Sequence, residues 1–159
     1  MGMEALSRSE VFERYGVELT RFATSLVGPS DAQDTVSDAV VRAMWSKSWE
    51  SVDNQRAYLY RAVVSQAKMH HRARSRRRVR ETEAARVIAG SMPAPNVDVW
   101  EALGHLGVAE RAVVYLIYWE DLTESEAATR LGVSDRTVRR RLERARGVLR
   151  RVLDVQPTR

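Results

Sequence analysis

Residues 122–142 read LTESEAATRLGVSDRTVRRRL, a spacing of residue types suited to holding a helix in a groove of duplex DNA. Thr123, with Glu126 three residues on, has the form of a capping box at a helix start. Ala127 and Ala128 are small, so a second helix can cross closely over the first. Gly132 follows Leu131, where the backbone commonly turns left-handed. Val133 fills the turn and Ser134 caps the next helix. Val138, Leu142 and Ala145 then recur at helical spacing as a buried stripe. Arg136, Thr137, Arg139, Arg140, Arg141 and Arg144 are left outward. A charge run is ordinarily a solvated face, but such a face mixes signs, and here only Asp135 and Glu143 interrupt the positive charge. A helix-turn-helix aims the N-terminal half of its second helix into a major groove. Arginine there can contact phosphate or guanine in bidentate fashion. This pattern is specific to the motif and not to one class of protein.

The N-terminal half offers two further groupings. Asp34, Ser37, Asp38, Val41 and Arg42 recur three and four residues apart, which places them on one helix face. Read alone, they are a solvated acidic helix start, with Asp31 and Asp34 complementing the helix dipole. Trp45, Trp49, Tyr58 and Tyr60 surround the loop 46–54, just ahead of a basic helix, and aromatic rings beside arginines provide stacking surfaces for unpaired bases. Trp45 and Tyr60 fall at positions expected in the core. His70, His71 and His105 lack metal-ligand spacing. The chain carries no glycine-rich phosphate loop, nucleophilic triad or paired catalytic carboxylates, so neither metal nor cofactor is implied and an enzyme in its own right is not expected.

The elements that must position these residues are helices. Of the 159 residues, 44% are hydrophobic and 30% charged, with a net charge of +5, which describes a globular chain suited to an anionic partner. There is no cysteine, which excludes disulfides and thiolate zinc sites. Neither a signal-peptide pattern nor a membrane-length apolar run is present, so a cytoplasmic protein with no membrane role is expected. Apolar residues recur at helical spacing almost throughout. A first helix is expected over 9–27, with Val11, Phe12, Tyr15, Leu19, Phe22 and Leu26 inward. A second should start at Ser30 in a capping box with Gln33, run to about Lys47, and bury Ala32, Val36, Ala39, Val40, Ala43 and Met44. A third, from near Asp53, buries Ala57, Leu59, Tyr60, Val63, Val64 and Ala67 and ends in the basic run from His70 to Arg78. The pattern weakens over 81–97, where Pro93 and Pro95 interrupt helix. Short helices follow at 97–104, 108–119, 123–131 and 134–153. The expected fold is all-α: two small helical domains, 5–80 and 98–155, joined by a flexible linker, 81–97.

Asp34 to Trp45, then Arg56-Ala-Tyr-Leu-Tyr-Arg61 and its basic tail, are followed by Ala102-Leu103, Leu106, Glu110-Arg111 and the helix-turn-helix. In that order they resemble, over residues 9–153, a bacterial RNA polymerase sigma factor of the extracytoplasmic-function (ECF) group, which has only regions 2 and 4. The resemblance implies a factor that binds core RNA polymerase and directs initiation at −35 and −10 promoter elements. It puts Asp34, Ser37, Asp38, Val41 and Arg42 on the clamp helices of the polymerase's largest subunit, and implies contact with the flap of the second-largest. It places Asn54, Gln55, Tyr58 and Arg61 near the single-stranded −10 element, where a flipped base is captured, and Lys68, Arg72 and Arg74 on its phosphates. Ser134, Arg136, Thr137, Arg139, Arg140, Glu143 and Arg144 would face the double-stranded −35 element, with Glu143 either accepting from cytosine or pairing with an arginine. Ser65 and Met69 stand where the family often has Asn and Asp, and Arg136 where Gly is frequent.

Residues 81–97 span at most roughly 60 Å when extended, and at about 3.4 Å per base pair that bridges sites on the order of 17 pairs apart. A helix-turn-helix regulator acting without polymerase, or a decoy that binds polymerase without opening DNA, are the other readings of the same residues. An anti-sigma factor as a separate regulatory partner stays open.

Overall fold

The computed structural model describes residues 6–80 and 102–154. The expected linker 81–97 and the first residues of the helix expected at 97–104 lie outside them. Within them the regular structure is helical, without strands. None of the described helices is long and apolar enough to cross a membrane.

Helix α1 (Arg8–Val27) opens on a reciprocal capping box: Ser7 Oγ accepts from the Glu10 N–H, and Glu10 returns a carboxylate oxygen to the Ser7 N–H at 2.7 Å. Gly28, at φ +87°, ends α1 and serves as the N-cap of α2 (Pro29–Trp45). One residue thus makes the whole joint, because glycine tolerates positive φ and proline suits the first helical position. This corrects the expected Ser30 cap: Ser30 already lies inside α2, and no side chain caps that helix. A short 3-10 turn at Trp49–Ser51 leads to α3 (Gln55–Arg80), which rises about 39 Å over its 26 residues.

α1, α2 and α3 pack on one another through the apolar faces expected from spacing, with Leu19, Phe22, Leu26, Val36, Val40, Leu59 and Val63 fully buried. Trp45 departs from expectation and is 79% exposed, whereas Trp49 is 3% exposed. The reason is local. Trp45 is the last residue of α2 and the chain leaves in an extended conformation at Ser46, so no helix runs beside that ring, while the 3-10 turn folds Trp49 back inward.

In the C-terminal half residues 102–104 are helical. α4 (Val108–Val114) continues into a π turn at Tyr115–Trp119, and α5 (Glu124–Leu131) and α6 (Asp135–Asp154) follow. Leu103, Leu106, Val114 and Ala145 form a small core beneath α6. The larger core does not stop at either half: Phe22 and Tyr60 belong to the same buried cluster as Tyr115, Leu116, Leu131 and Val138. The two expected domains therefore pack against each other in this arrangement.

Candidate nucleic-acid interface

The helix-turn-helix is held by its own caps. Thr123 Oγ1 accepts from the Glu126 N–H at 3.1 Å and Glu126 accepts from the Thr123 N–H at 2.7 Å. These bonds hold the Glu126 carboxyl below the ordinary range. Gly132 adopts the left-handed conformation, φ 61° and ψ 38°, and its N–H closes α5. Ser134 Oγ accepts from the Thr137 N–H at 3.2 Å, which caps α6. Val138, Leu142 and Ala145 are buried, so the axial rotation of α6 is fixed and its opposite face must point to solvent.

On that face Ser134, Arg136, Arg139, Arg140, Glu143 and Arg144 are exposed and Thr137 is half-buried. Arg139 Nε donates to Glu124 on α5 at 3.1 Å, and Arg144 lies 4.0 Å from Glu110 on α4. Both arginines keep more than half of their side-chain surface exposed. Pairs of this kind are worth about 0–1 kcal/mol, so phosphate or base can readily replace them. Arg141 corrects the outward expectation: it is half-buried, and burial, the first cause, lowers its pKa against the raising effect of Glu110.

The stripe on α2 is formed by geometry alone. Asp34, Asp38 and Arg42 are exposed, with Ser37 and Val41 half-buried beside them, while Ala32, Val36, Ala39, Val40 and Ala43 occupy the other face. Arg42 also reaches across to Met69 on α3, with Nη1 3.7 Å from the sulfur.

At the start of α3, Asn54 has a structural duty: its Oδ1 accepts from the Ala57 N–H at 3.0 Å. Gln55 and Tyr58 are half-buried and Arg61 is exposed. The Tyr58 ring stands edge-on to Trp49 with centroids 6.0 Å apart, and the Arg61 guanidinium lies 5.7 Å from the Tyr58 centroid. These three side chains make a compact aromatic and cationic patch. Lys68 and Arg72 follow Arg61 on the same side of α3, about 10 and 16 Å along it. Arg74 is rotated away and bears on His71. The groove between α2 and α3, about 280 Å³, is lined by Arg42, Tyr58, Arg61 and Met69 among others, so it joins the α2 stripe to the aromatic patch.

A set of charged residues absent from the motif reading sits where the two halves meet. Glu18 accepts from Arg56 Nε at 3.0 Å and from Tyr60 Oη at 3.2 Å, with Arg130 of α5 at 3.9 Å. Burial, reinforced by Glu18, pushes the Tyr60 hydroxyl up to about 12. Arg111 Nη1 donates to the Leu26 carbonyl at 3.0 Å and Nη2 to that of Leu106 at 3.1 Å. Arg111 follows Glu110 in α4, whose other residues are apolar. Among the described residues no cluster of His, Asp or Glu could hold a metal ion.

Comparison with known proteins follows the same division. Residues 11–77 match the family model for sigma-70 region 2, and residues 96–149 that for sigma-70 region 4. The RNA polymerase sigma-E factor of Streptomyces coelicolor is 33% identical over 142 residues, covering 85% of this chain and 79% of the relative. The sigma factor CnrH of Cupriavidus metallidurans is 29% identical over 168 residues, covering 91% and 85%. Among solved structures, the sigma factor RpoE of Bartonella quintana, in complex with the anti-sigma factor NepR, superposes with a TM-score of 0.63. It is 23% identical and covers 94% of this chain and 98% of that one. CnrH bound to the cytosolic domain of CnrY gives 0.58 at 26% identity, covering 94% and 88%. Two regions in this order, on a chain whose recognition helix and α2 stripe are both presented to solvent, leave one conclusion: the chain belongs to the sigma-70 family, in its ECF group, and is a promoter-specificity factor of RNA polymerase.

Proposed function

We propose that the promoter is read by two hands of this chain, region 2 over 5–80 and region 4 over 98–155, with 81–97 as the linker between them. Region 4 engages the −35 duplex with Ser134, Arg136, Thr137, Arg139, Arg140, Glu143 and Arg144. Region 2 takes the single-stranded −10 element on Asn54, Gln55, Tyr58 and Arg61, with Lys68, Arg72 and Arg74 on phosphates. Asp34, Ser37, Asp38, Val41 and Arg42 dock on the clamp helices of the polymerase's largest subunit, and region 4 meets the flap of the second-largest. The chain supplies positioning and base capture while polymerase supplies the chemistry; sigma factors are non-catalytic initiation factors. It acts in the cytoplasm, where polymerase and promoter are.

The observation that carries this reading is the α6 face, mostly exposed and dominated by Arg136, Arg139, Arg140 and Arg144, fixed in rotation by the capped helix-turn-helix. Because the similar sigma factor RpoE was solved in complex with an anti-sigma factor, and CnrH with the cytosolic domain of CnrY, a separate anti-sigma protein is proposed as a regulatory partner here. The test is transcription in vitro with sigma-free core polymerase and candidate promoters. Core-dependent initiation is expected; duplex binding without initiation would favour a regulator that works apart from polymerase.

A further inference from the structure

Among the described residues Trp45 is the most exposed large apolar side chain, at 79%. The end of α2 explains why no helix covers the ring; the phase of α2 decides what lies beside it. A helix turns about 100° per residue. Trp45 stands eleven residues after Asp34 and seven after Asp38, which brings it to within about 20° of both. It is about 180° from the fully buried Val36. Trp45 therefore lies on the midline of the α2 stripe, about 10 Å beyond Asp38 and about 16 Å beyond Asp34. Half-buried Val41 is its neighbour one turn back, so the ring extends an apolar seam that runs between the charges.

A single apolar side chain on a surface is ordinary; its company here is not. Rings that stack on unpaired bases stand among cations, whereas two carboxylates in line with this ring repel phosphate. On α2 the residues lining the groove toward Tyr58 and Arg61 are Ala39, Arg42 and Ala43. Trp45 is rotated from these by about 60–160°, so it belongs to the docking face and not to the −10 patch. The two kinds of group on that face do different work. Exposed carboxylates steer an encounter and are screened by salt. A tryptophan seated in a dry recess carries affinity that salt does not screen.

We propose that Trp45 is the apolar anchor of the polymerase-docking face of α2, inserted into an apolar recess of core polymerase while Asp34 and Asp38 meet cations beside it. The surface that fits is one with positive side chains about 10 and about 16 Å from such a recess. The inference rests on the assignment of the α2 stripe to polymerase, and adds to it the residue that holds the contact once charge has guided it.

Two measurements on the full chain test this. Hydroxyl-radical oxidation, read by mass spectrometry, should modify Trp45 in the free chain and spare it once core polymerase is bound without DNA, with the buried Trp49 as internal control. In competition for core polymerase, Trp45→Ala should raise Kd about ten- to hundredfold, and Trp45→Phe should recover most of the loss. Circular dichroism establishes that both variants fold. Between about 0.1 and 0.5 M salt the Trp45→Ala penalty should hold while that of Asp38→Arg shrinks. Protection that arises only when promoter DNA is added makes the ring a base-stacking residue and overturns the proposal. So does a Trp45→Ala variant that binds like the parent while Asp38→Arg binds weakly, an outcome that leaves the stripe itself in place. If neither variant changes the affinity, the docking assignment of α2 falls and this inference falls with it.

Discussion

Arg140 and Asp38 carry the sharpest consequences at the scale of single residues. Both are exposed, so replacing either should leave the fold intact. Arg140→Ala should cost about 1–3 kcal/mol of promoter affinity if the guanidinium grips a base edge; titration against −35 variants checks this, since an equal loss on every sequence means a phosphate contact. Asp38→Arg should weaken binding to core polymerase, measured by competition with a second sigma factor, and an unchanged affinity would remove the α2 stripe from the clamp interface. His71 sets a pH dependence. Its Nε2–H donates to the Leu26 carbonyl at 2.6 Å. Burial, joined by the charges of Arg111, His70 and Arg74, lowers its pKa from 6.5 despite that bond. The folded state thus binds fewer protons than the unfolded one between the lowered value and 6.5. Stability from this group is whole above about 6.5 and falls as pH drops through that window. Denaturation midpoints at pH 7.5 and 5.5 should show the fall, and His71→Gln should flatten it. Which residues are buried was mostly legible from spacing. Trp45 and Trp49 were not, because their exposure is decided by where α2 stops, and a helix end is poorly fixed by periodicity.

Among the elements, the helix-turn-helix was nearly all legible because its punctuation is chemical. Thr123, Glu126, Gly132 and Ser134 each perform a local task that only a few residue types can perform. Thr123→Ala should therefore cost about 1 kcal/mol of stability, read from a denaturant titration, with no change in promoter preference once the protein is folded. The joint between α1 and α2 was harder. Ser30 and Gln33 imitate a capping box, yet the prior claim of Pro29 on the first helical position moves the cap two residues back, to Gly28. The π turn had no signal at all in the sequence. It takes up one extra residue, letting Tyr115 face the core while Tyr118 and Trp119 face outward, and Tyr115 Oη is tied to Glu120 at 2.8 Å.

For the whole molecule, the division into two regions could be read from composition, but their mutual packing could not. Periodicity says that α1, α3 and α4 each have an inward face; it does not say that Phe22, Tyr60 and Tyr115 share one interior. Only long-range contacts such as Arg130 with Glu18 carry that information. One consequence is cooperative melting: calorimetry on the free chain should give a single transition, because the contact between the regions is part of the main core. Two separated transitions would show that the regions are energetically independent.

The shared interior also bears on how long a molecule lasts. Parting the regions bares Phe22, Tyr60 and Tyr115 together, three large rings in one place, and freshly exposed apolar surface invites both aggregation and proteases. The lifetime of an idle molecule is then set by how rarely that interior gives way, and the pool of factor is limited by its own wear.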